Sequence, residues 1–398
     1  MIPRTLQLSL HKAAKYYPVV TLTGPRQSGK TTLARHAFRD HEYISMEDPE
    51  ERAFALEDPR GFLARFPAGV VLDEAQRTPH LFSYIQTIVD NEDRPGRFIL
   101  SGSQNFLLLK NISQTLAGRC SVLHLLPFSL DELNEYTPLP LDEIGVSIPG
   151  SRDSPPRTLN ETLFTGFYPR IHDKKLLPKD WLRNYYQTYL ERDVRDLVKV
   201  GDLETFRRFT ALCAGRCSQL LNLSSLAADC GVTHTTARRW LSVLEASFII
   251  VLLRPHFRNF RKRLVKTPKL YFLDAGLLCY LLRIRDPEEL ILHAARGPVF
   301  ECFVVAELYK RALHAGHDPD LYFWRDSTGH EVDVLIEHGA TQTPLEIKSG
   351  QTVASDFFRG LNYWNKLADD TAKGSALIYG GDQSYNRSGT TVYSWWGF

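Results

Sequence analysis

Apolar, β-branched runs alternate with helix-period segments along the first third of the chain. Residues 18–23, 69–72 and 97–100 are near-continuous in Val, Ile, Leu and Phe, the pattern of strands buried on both faces. Residues 42–46 and 121–126 read the same way, and residues 32–38 carry helical spacing. Five such strands separated by helices predict a parallel sheet covered by helices on both faces.

Further along, the pattern changes. Residues 136–157 hold five prolines and two glycines with few periodic apolar positions, and read as a long surface connection. Helical periodicity returns over 181–190, and the charged stretch at 191–196 reads as a solvated helix face or an interdomain contact. Residues 223–232 predict a short helix stopped by Gly231, and 233–244 a second helix with Thr233 as its N-cap. A strand over 248–253 follows, and the three together look like a winged helix-turn-helix. Near the C-terminus, residues 298–308 predict an amphipathic helix, followed by strands at 321–324, 331–337 and 344–349. Strand alternation turns Asp333 away from Val332 and Val334. It also puts Glu346 and Lys348 on one face, with Leu345 and Ile347 on the other.

Chemistry enters between the first strand and its helix. Gly24-Pro25-Arg26-Gln27-Ser28-Gly29-Lys30-Thr31 is a full match to G-x-x-x-x-G-K-[S/T]. The glycines let backbone N–H groups turn onto phosphate oxygens, Lys30 reaches the β- and γ-phosphates, and the Thr31 hydroxyl can hold Mg²⁺. With Thr32 opening the helix N-terminus, this segment is the expected ATP site. The 69–72 run ends in Asp73-Glu74, about forty residues further on. Asp73 is placed for the Mg²⁺ shell and Glu74 to activate water.

The net charge of +2 announces no nucleic-acid binder, so any such surface must be local. One basic run qualifies: Arg254, Arg258, Arg261, Lys262, Arg263, Lys266 and Lys269, with no acid between them and with His256, Phe257 and Phe260 interleaved. Phosphate binding by a wing is one reading, and packing on an acidic neighbouring domain is the other. The polar face of the second helix (His234, Thr235, Arg238, Arg239) suits a major groove, so DNA is expected through 234–269 and the C-terminal domain. The six cysteines lack zinc or disulfide spacing, and neither a signal peptide nor a membrane span is present. A reduced, cytoplasmic protein with no membrane partner is expected.

A family resemblance now comes into view. Ser101-Gly102-Ser103, Leu116-Ala117-Gly118-Arg119 and Leu125-Leu126-Pro127-Phe128-Ser129 resemble a prokaryotic family of AAA-type ATPases whose C-terminal domain has long been labelled as of unknown function. The resemblance covers nearly the whole chain. It implies ATP and Mg²⁺ as cofactors. Ser103 is the candidate γ-phosphate sensor, with Ser101 and Asn105 as rivals that spacing does not separate. Arg119 is a candidate arginine finger or sensor arginine, against its plainer reading as a surface or helix-ending residue. It would act in trans only in a homo-oligomer. The family often has two glycines before an aromatic and proline, whereas Gly166-Phe167-Tyr168-Pro169 keeps one; residues 271–278 also match and read as structural.

Glu301, Asp333 and Glu346-x-Lys348 together resemble the restriction-endonuclease-like fold. The resemblance implies that Asp333 and Glu346 hold Mg²⁺, with Glu301 reaching the metal from its helix. Lys348 would activate water or stabilise the pentavalent phosphate, and Gln351 would assist by hydrogen bonding. Fold does not imply function, so such a domain either cleaves or only binds.

The expected fold class is α/β: a P-loop NTPase parallel sheet with helices on both faces, then a winged helix-turn-helix and a C-terminal α/β restriction-endonuclease-like domain. The expected boundaries are 1–135 for the ATPase core, 136–210 for a connection and helical segment, 211–290 for the winged helix and 291–398 for the nuclease-like domain. The expected function is a Mg²⁺-dependent ATPase coupled to DNA binding and a nuclease-like domain. The alternative is an ATP-dependent DNA- or protein-binding switch whose nuclease-like domain is inactive.

Overall fold

In the computed structural model, the early apolar runs form one sheet of five parallel strands. The structure describes residues 2–92, 94–103, 112, 114–150, 152–190, 203–256, 265–368 and 372–398. The strands are β1 (Val19–Thr23), β2 (Glu42–Ser45), β3 (Val70–Asp73), β4 (Phe98–Gly102) and β5 (Cys120–His124). Their order across the sheet is β2-β3-β4-β1-β5. Successive strand residues enter opposite cores. Val20, Leu22, Val71 and Ile99 pack with α1 (Leu6–Ala14) and α2 (Lys30–Ala37). Val19, Val70, Leu72, Phe98 and Leu100 pack with α3 (Pro49–Glu57), α4 (Pro59–Ala64) and α5 (Leu81–Glu92). This two-sided burial is what the continuous apolar runs encode. Phe62, Phe66 and Phe82 fill the second core, each contributing about 1.5–3 kcal/mol by burial.

The chain divides into two compact units. The first is Met1–Phe128 with Ala246–Phe248 and Ala312–His317; the second is Ser129–Glu245, Ile249–Arg311 and Asp318–Phe398. In the second, helices α6 (Leu203–Gly215), α7 (Leu223–Cys230) and α8 (His234–Ala246) precede strands β6 (Ile250–Pro255) and β7 (Lys269–Phe272). Asn222 caps α7, Gly231 closes it in the left-handed region, and Thr233 Oγ1 accepts the Thr236 N–H at the start of α8. Trp240 of α8 meets Phe206 and Phe209 of α6 edge-on. The strand expected from residue 248 begins at Ile250, because Phe248 has a positive φ of 55° that breaks extended geometry.

Strands β6 and β7 pair antiparallel, and Arg254 and Pro255 of β6 pair on with β8 (Leu321–Arg325). The sheet continues through β9 (Glu331–His338), β10 (Thr341–Lys348), β11 (Ala376–Tyr379), β13 (Thr390–Ser394) and β12 (Tyr385–Arg387), eight strands in all. Strands β8, β9 and β10 run antiparallel; β10 pairs parallel with β11 after a crossover that contains helix α10 (Arg359–Ala368). The long helix α9 (Arg296–His314) precedes β8.

The proline-rich segment 136–157 runs mostly at the surface, as its composition predicts, but is anchored at a few points. Leu139 and Ile144 are buried, and the Gly145 N–H donates to the Tyr393 hydroxyl at 2.8 Å. These contacts anchor the segment, in which Leu141–Glu143 forms a single 3₁₀ turn. The single glycine of Gly166-Phe167-Tyr168-Pro169 adopts φ 67° and lies directly against Gly276. Beside it, the buried Asp274 carboxylate accepts the N–H groups of Phe167 at 2.7 Å and Leu277 at 2.8 Å, which joins the two matching segments structurally. A Cβ on Gly276 would sit 2.8 Å from Gly166 Cα. Gly276→Ala is therefore expected to cost roughly 1–3 kcal/mol, read as a lowered urea midpoint at unchanged m-value.

Candidate functional site

The phosphate-binding segment leaves β1 at Thr23 and closes at Gly29, the N-cap of α2. Both fixed glycines are sterically required. Gly24 has φ 148° with the Leu125 carbonyl oxygen 2.1 Å from where a Cβ would stand, and Gly29 has φ 95°. Lys30 is buried and donates to the carbonyls of Gly24 at 2.9 Å and Pro25 at 2.7 Å, so its ammonium lies inside the loop. Ser28 is buried, Arg26 and Gln27 are half-buried, and Thr32 is exposed in a shallow groove with Thr31, Arg35, His36 and Arg39. Arg4, which the sequence does not single out, braces this loop: it donates to the Ser28 carbonyl at 2.8 Å and the Leu126 carbonyl at 2.6 Å.

Asp73 ends β3 and collects three hydroxyl donors. Thr31 Oγ1 and Tyr43 OH reach Oδ2 at 2.8 Å each, and Ser101 Oγ reaches Oδ1 at 2.5 Å. Burial, and then the bond to Asp73, push the Tyr43 phenol above its ordinary value, so it stays a donor. Glu74, at φ 51°, turns off the strand; its Oε2 accepts from Gln76 Nε2 at 2.5 Å and Ser103 Oγ at 3.1 Å. The strand order explains the meeting. Because β4 lies between β1 and β3, Ser101 and Ser103 emerge beside both the loop and the two acids. The rival sensor Asn105 lies outside the described residues. Tyr43 and Gln76 carry no motif and become visible only in the folded sheet. The neutral donors around Asp73, with the Thr31 hydroxyl adjacent, fit a Mg²⁺ site.

Arg119 does not enter the site of its own chain. Its carbonyl accepts the Val19 N–H at the beginning of β1, and its side chain pairs with Asp90. The phosphate loop starts at the other end of that strand, five residues or roughly 16 Å away.

In the second unit, the register that pairs Leu345 with Val334 sets Glu346 beside Asp333. Asp333 Oδ2 accepts from the Ile347 N–H at 2.9 Å and Lys348 Nζ at 3.1 Å, and Lys348 also donates to Glu346 at 2.5 Å. Glu301 joins them from α9, receiving the Tyr271 hydroxyl at 2.6 Å. The predicted carboxylates therefore do converge, but with a residue assigned elsewhere by sequence. Lys269 does not project as a phosphate contact. It is buried and pairs with Glu301 at 3.3 Å and with Glu331, 4.0 Å from Asp333 Oδ1. Its position on β7 turns it inward, whereas Arg254 and Lys266 are exposed; Phe257, Arg258, Phe260, Arg261, Lys262 and Arg263 lie outside the described residues, as does the charged stretch at 191–196. Gln351 is exposed in the loop after β10.

The electrostatics follow. Burial alone would lower the Lys269 ammonium's pKa, but Glu301, Asp333 and Glu331 outweigh it and hold the group above the lysine range. Burial, then the Asp333 charge, push Glu346 well above the carboxylate range. Burial would raise Asp333 too, yet Lys348 and Lys269 hold it low. These residues do not fit a divalent cation, since two ammonium groups already lie among the inward carboxylate oxygens. Among the described residues, no group of three or more His, Cys, Asp and Glu side chains is arranged to hold a metal. On α8, His234, Thr235, Arg238 and Arg239 are all exposed, on the face opposite Trp240 and Ala237.

Three family models match the chain: an AAA domain over residues 16–134, a domain of unknown function (DUF8612) over 156–288 and a domain of unknown function (DUF4143) over 296–398. Two relatives, uncharacterized protein Rv2008c of Mycobacterium tuberculosis and uncharacterized protein Mb2031c of Mycobacterium bovis, are each 33% identical over 389 residues, 97% of this chain and 81% of theirs. Similar solved structures include the Walker-type ATPase PABY2304 of Pyrococcus abyssi, 17% identical over 71% of this chain and 96% of that one, with a TM-score of 0.37. AMPPCP-bound DnaA from Aquifex aeolicus is 16% identical over 60% of this chain and 85% of its own, with a TM-score of 0.29. No helix among the described residues is long and apolar enough to cross a membrane.

Because Arg119 faces away from its own loop, Arg119→Ala is expected to leave affinity for a fluorescent ATP analogue within about threefold of the parent; a tenfold or greater loss would place the guanidinium on the bound phosphates.

Proposed function

The chain belongs to the family that contains these two mycobacterial proteins, its N-terminal part is an AAA-type P-loop ATPase domain, and from that premise we propose that it binds and hydrolyses ATP. The observation that carries this reading is the Asp73 junction, where the phosphate loop, the strand-end acids and the β4 serines meet. Backbone N–H groups of residues 24–32 bind the phosphates, and Lys30 leaves its loop carbonyls to contact the β- and γ-phosphates. Thr31 and Asp73 would hold Mg²⁺, which when bound would neutralise charge on the phosphates. Glu74 orients the attacking water, and Ser103, already bonded to Glu74, reports the γ-phosphate to it. The hydrogen bond from Gln76 keeps Glu74 directed until nucleotide arrives.

The output of this switch is nucleic-acid binding. The helix–helix–hairpin order of α7, α8, β6 and β7, preceded by α6 and a strand bridge from Leu220 to Lys269, supports a winged helix. The exposed face of α8 supports its docking in a major groove. The β8–β9–β10 meander followed by a parallel β11 supports the restriction-endonuclease-like reading of the C-terminal sheet.

Lys30→Ala should abolish ATP turnover with unchanged circular dichroism, whereas Glu74→Gln should retain ATP binding and lower kcat by roughly 10²–10⁴. Retained turnover in the Lys30 variant would sink the assignment. For DNA, the joint Arg238→Ala, Arg239→Ala variant should reduce the slope of log affinity against log salt by about two in fluorescence anisotropy. An unchanged slope would move the contact away from α8.

A further inference from the structure

The carboxylates of the C-terminal sheet face a cation that the chain itself supplies. Lys269 opens β7, the second strand of the β6–β7 hairpin, and its side chain is 4% exposed. It reaches Glu301 on α9, Glu331 at the start of β9 and the near oxygen of Asp333. Lys348 covers the other oxygen of Asp333 and the near oxygen of Glu346. Four carboxylates from three elements are thus met by two ammonium groups, with Arg325 on the outer side of Glu331 at 2.9 Å. A divalent cation binds oxygens at about 2.0–2.6 Å and needs several of them free, which is incompatible with the Lys269 ammonium lying among Glu301, Glu331 and Asp333.

One side of the group is covered as well. The first turn of α10 lies on Glu346, with Gly360 so close that a Cβ there would stand 2.0 Å from Oε1 and 2.4 Å from the Glu331 carbonyl oxygen. A scissile phosphate has no approach to Glu346 along that side. Tyr271, next but one to Lys269 on the same strand, donates to Glu301 and is wholly buried. Two side chains from one face of β7 therefore enter the carboxylate group together, as strand alternation requires.

We propose that the Lys269 ammonium stands where a divalent cation would be held in a restriction-endonuclease-like site. On this assignment Glu301, Glu331, Asp333 and Glu346 form a metal-free ion-pair junction. It fastens the β6–β7 hairpin to the C-terminal sheet and performs no metal-dependent phosphodiester cleavage. The inference rests on the nuclease-like reading of β9 and β10. Lys269 is then a positioning residue for the hairpin, not a phosphate contact, which separates it from the exposed Arg254 and Lys266.

Mn²⁺ binding to the full-length protein without nucleotide, counted by electron paramagnetic resonance, tests this. The parent should lose no bound Mn²⁺ on Asp333→Asn, because none is held there. Lys269→Ala should gain about one Mn²⁺ per chain at millimolar metal, and adding Asp333→Asn should remove it. Lys269→Met, closer in volume, replaces the alanine variant where that fails to fold. A parent that binds an Asp333-dependent Mn²⁺ overturns the junction and strengthens the nuclease-like reading. Absence of Mn²⁺ from a folded Lys269 variant overturns the assignment of Lys269 to a cation's place and the nuclease-like reading with it, since removing the ammonium then exposes no metal site.

Discussion

A charged carboxylate at the buried end of a strand persists only where donors meet it, and Asp73 is met from three separate elements. Thr31 arrives from the first turn of α2, Tyr43 from β2 and Ser101 from β4. Each arrival depends on the strand order, since β2 and β4 flank β3 and β1 lies beyond β4. A different order would leave the acid unpaired or the loop unsupported. The arrangement beside the phosphate loop is in this sense a consequence of meeting one buried carboxylate.

The same constraint has another solution in the second unit. Asp73 is met by neutral hydroxyls, which stabilise its charge without cancelling it and leave it able to attract a cation. Asp333 is met by Lys348 and lies near Lys269, whose positive charges oppose its own. Removing one member of such a buried cluster leaves the others uncompensated, so the cluster resists piecemeal loss. Two strand acids, Asp73 at the end of β3 and Asp333 within β9, thus face different chemistry because of the charge of their donors.

Much of the ATPase half is legible along the chain because its information is local. Gly24, Gly29 and Lys30 act through backbone conformation and a fixed spacing, and Asp73-Glu74 sits at the end of an apolar run. Elements in the second unit were readable where a cap or turn residue marks them, as at Gly231 and Thr233. Segment 136–157 lies mostly at the surface, as its prolines indicate, but prolines do not mark which of its residues are buried. Ile144 is fully buried all the same. Of the two readings open for the basic run, Lys269 meets the one in which it packs against acids, but a run gives no information on which residue its strand turns inward.

Sequence alone determined the phosphate loop, the two acids after β3, the polar end of β4 and the pairing of Asp333 with Glu346-x-Lys348. These are set by neighbours in the chain and by strand periodicity. The tertiary structure decided that Arg4, Tyr43 and Gln76 support the nucleotide site, that Arg119 faces away from it, and that Lys269 enters the C-terminal carboxylates. Those outcomes depend on strand order and on contacts between residues far apart in the chain, for which no local pattern exists.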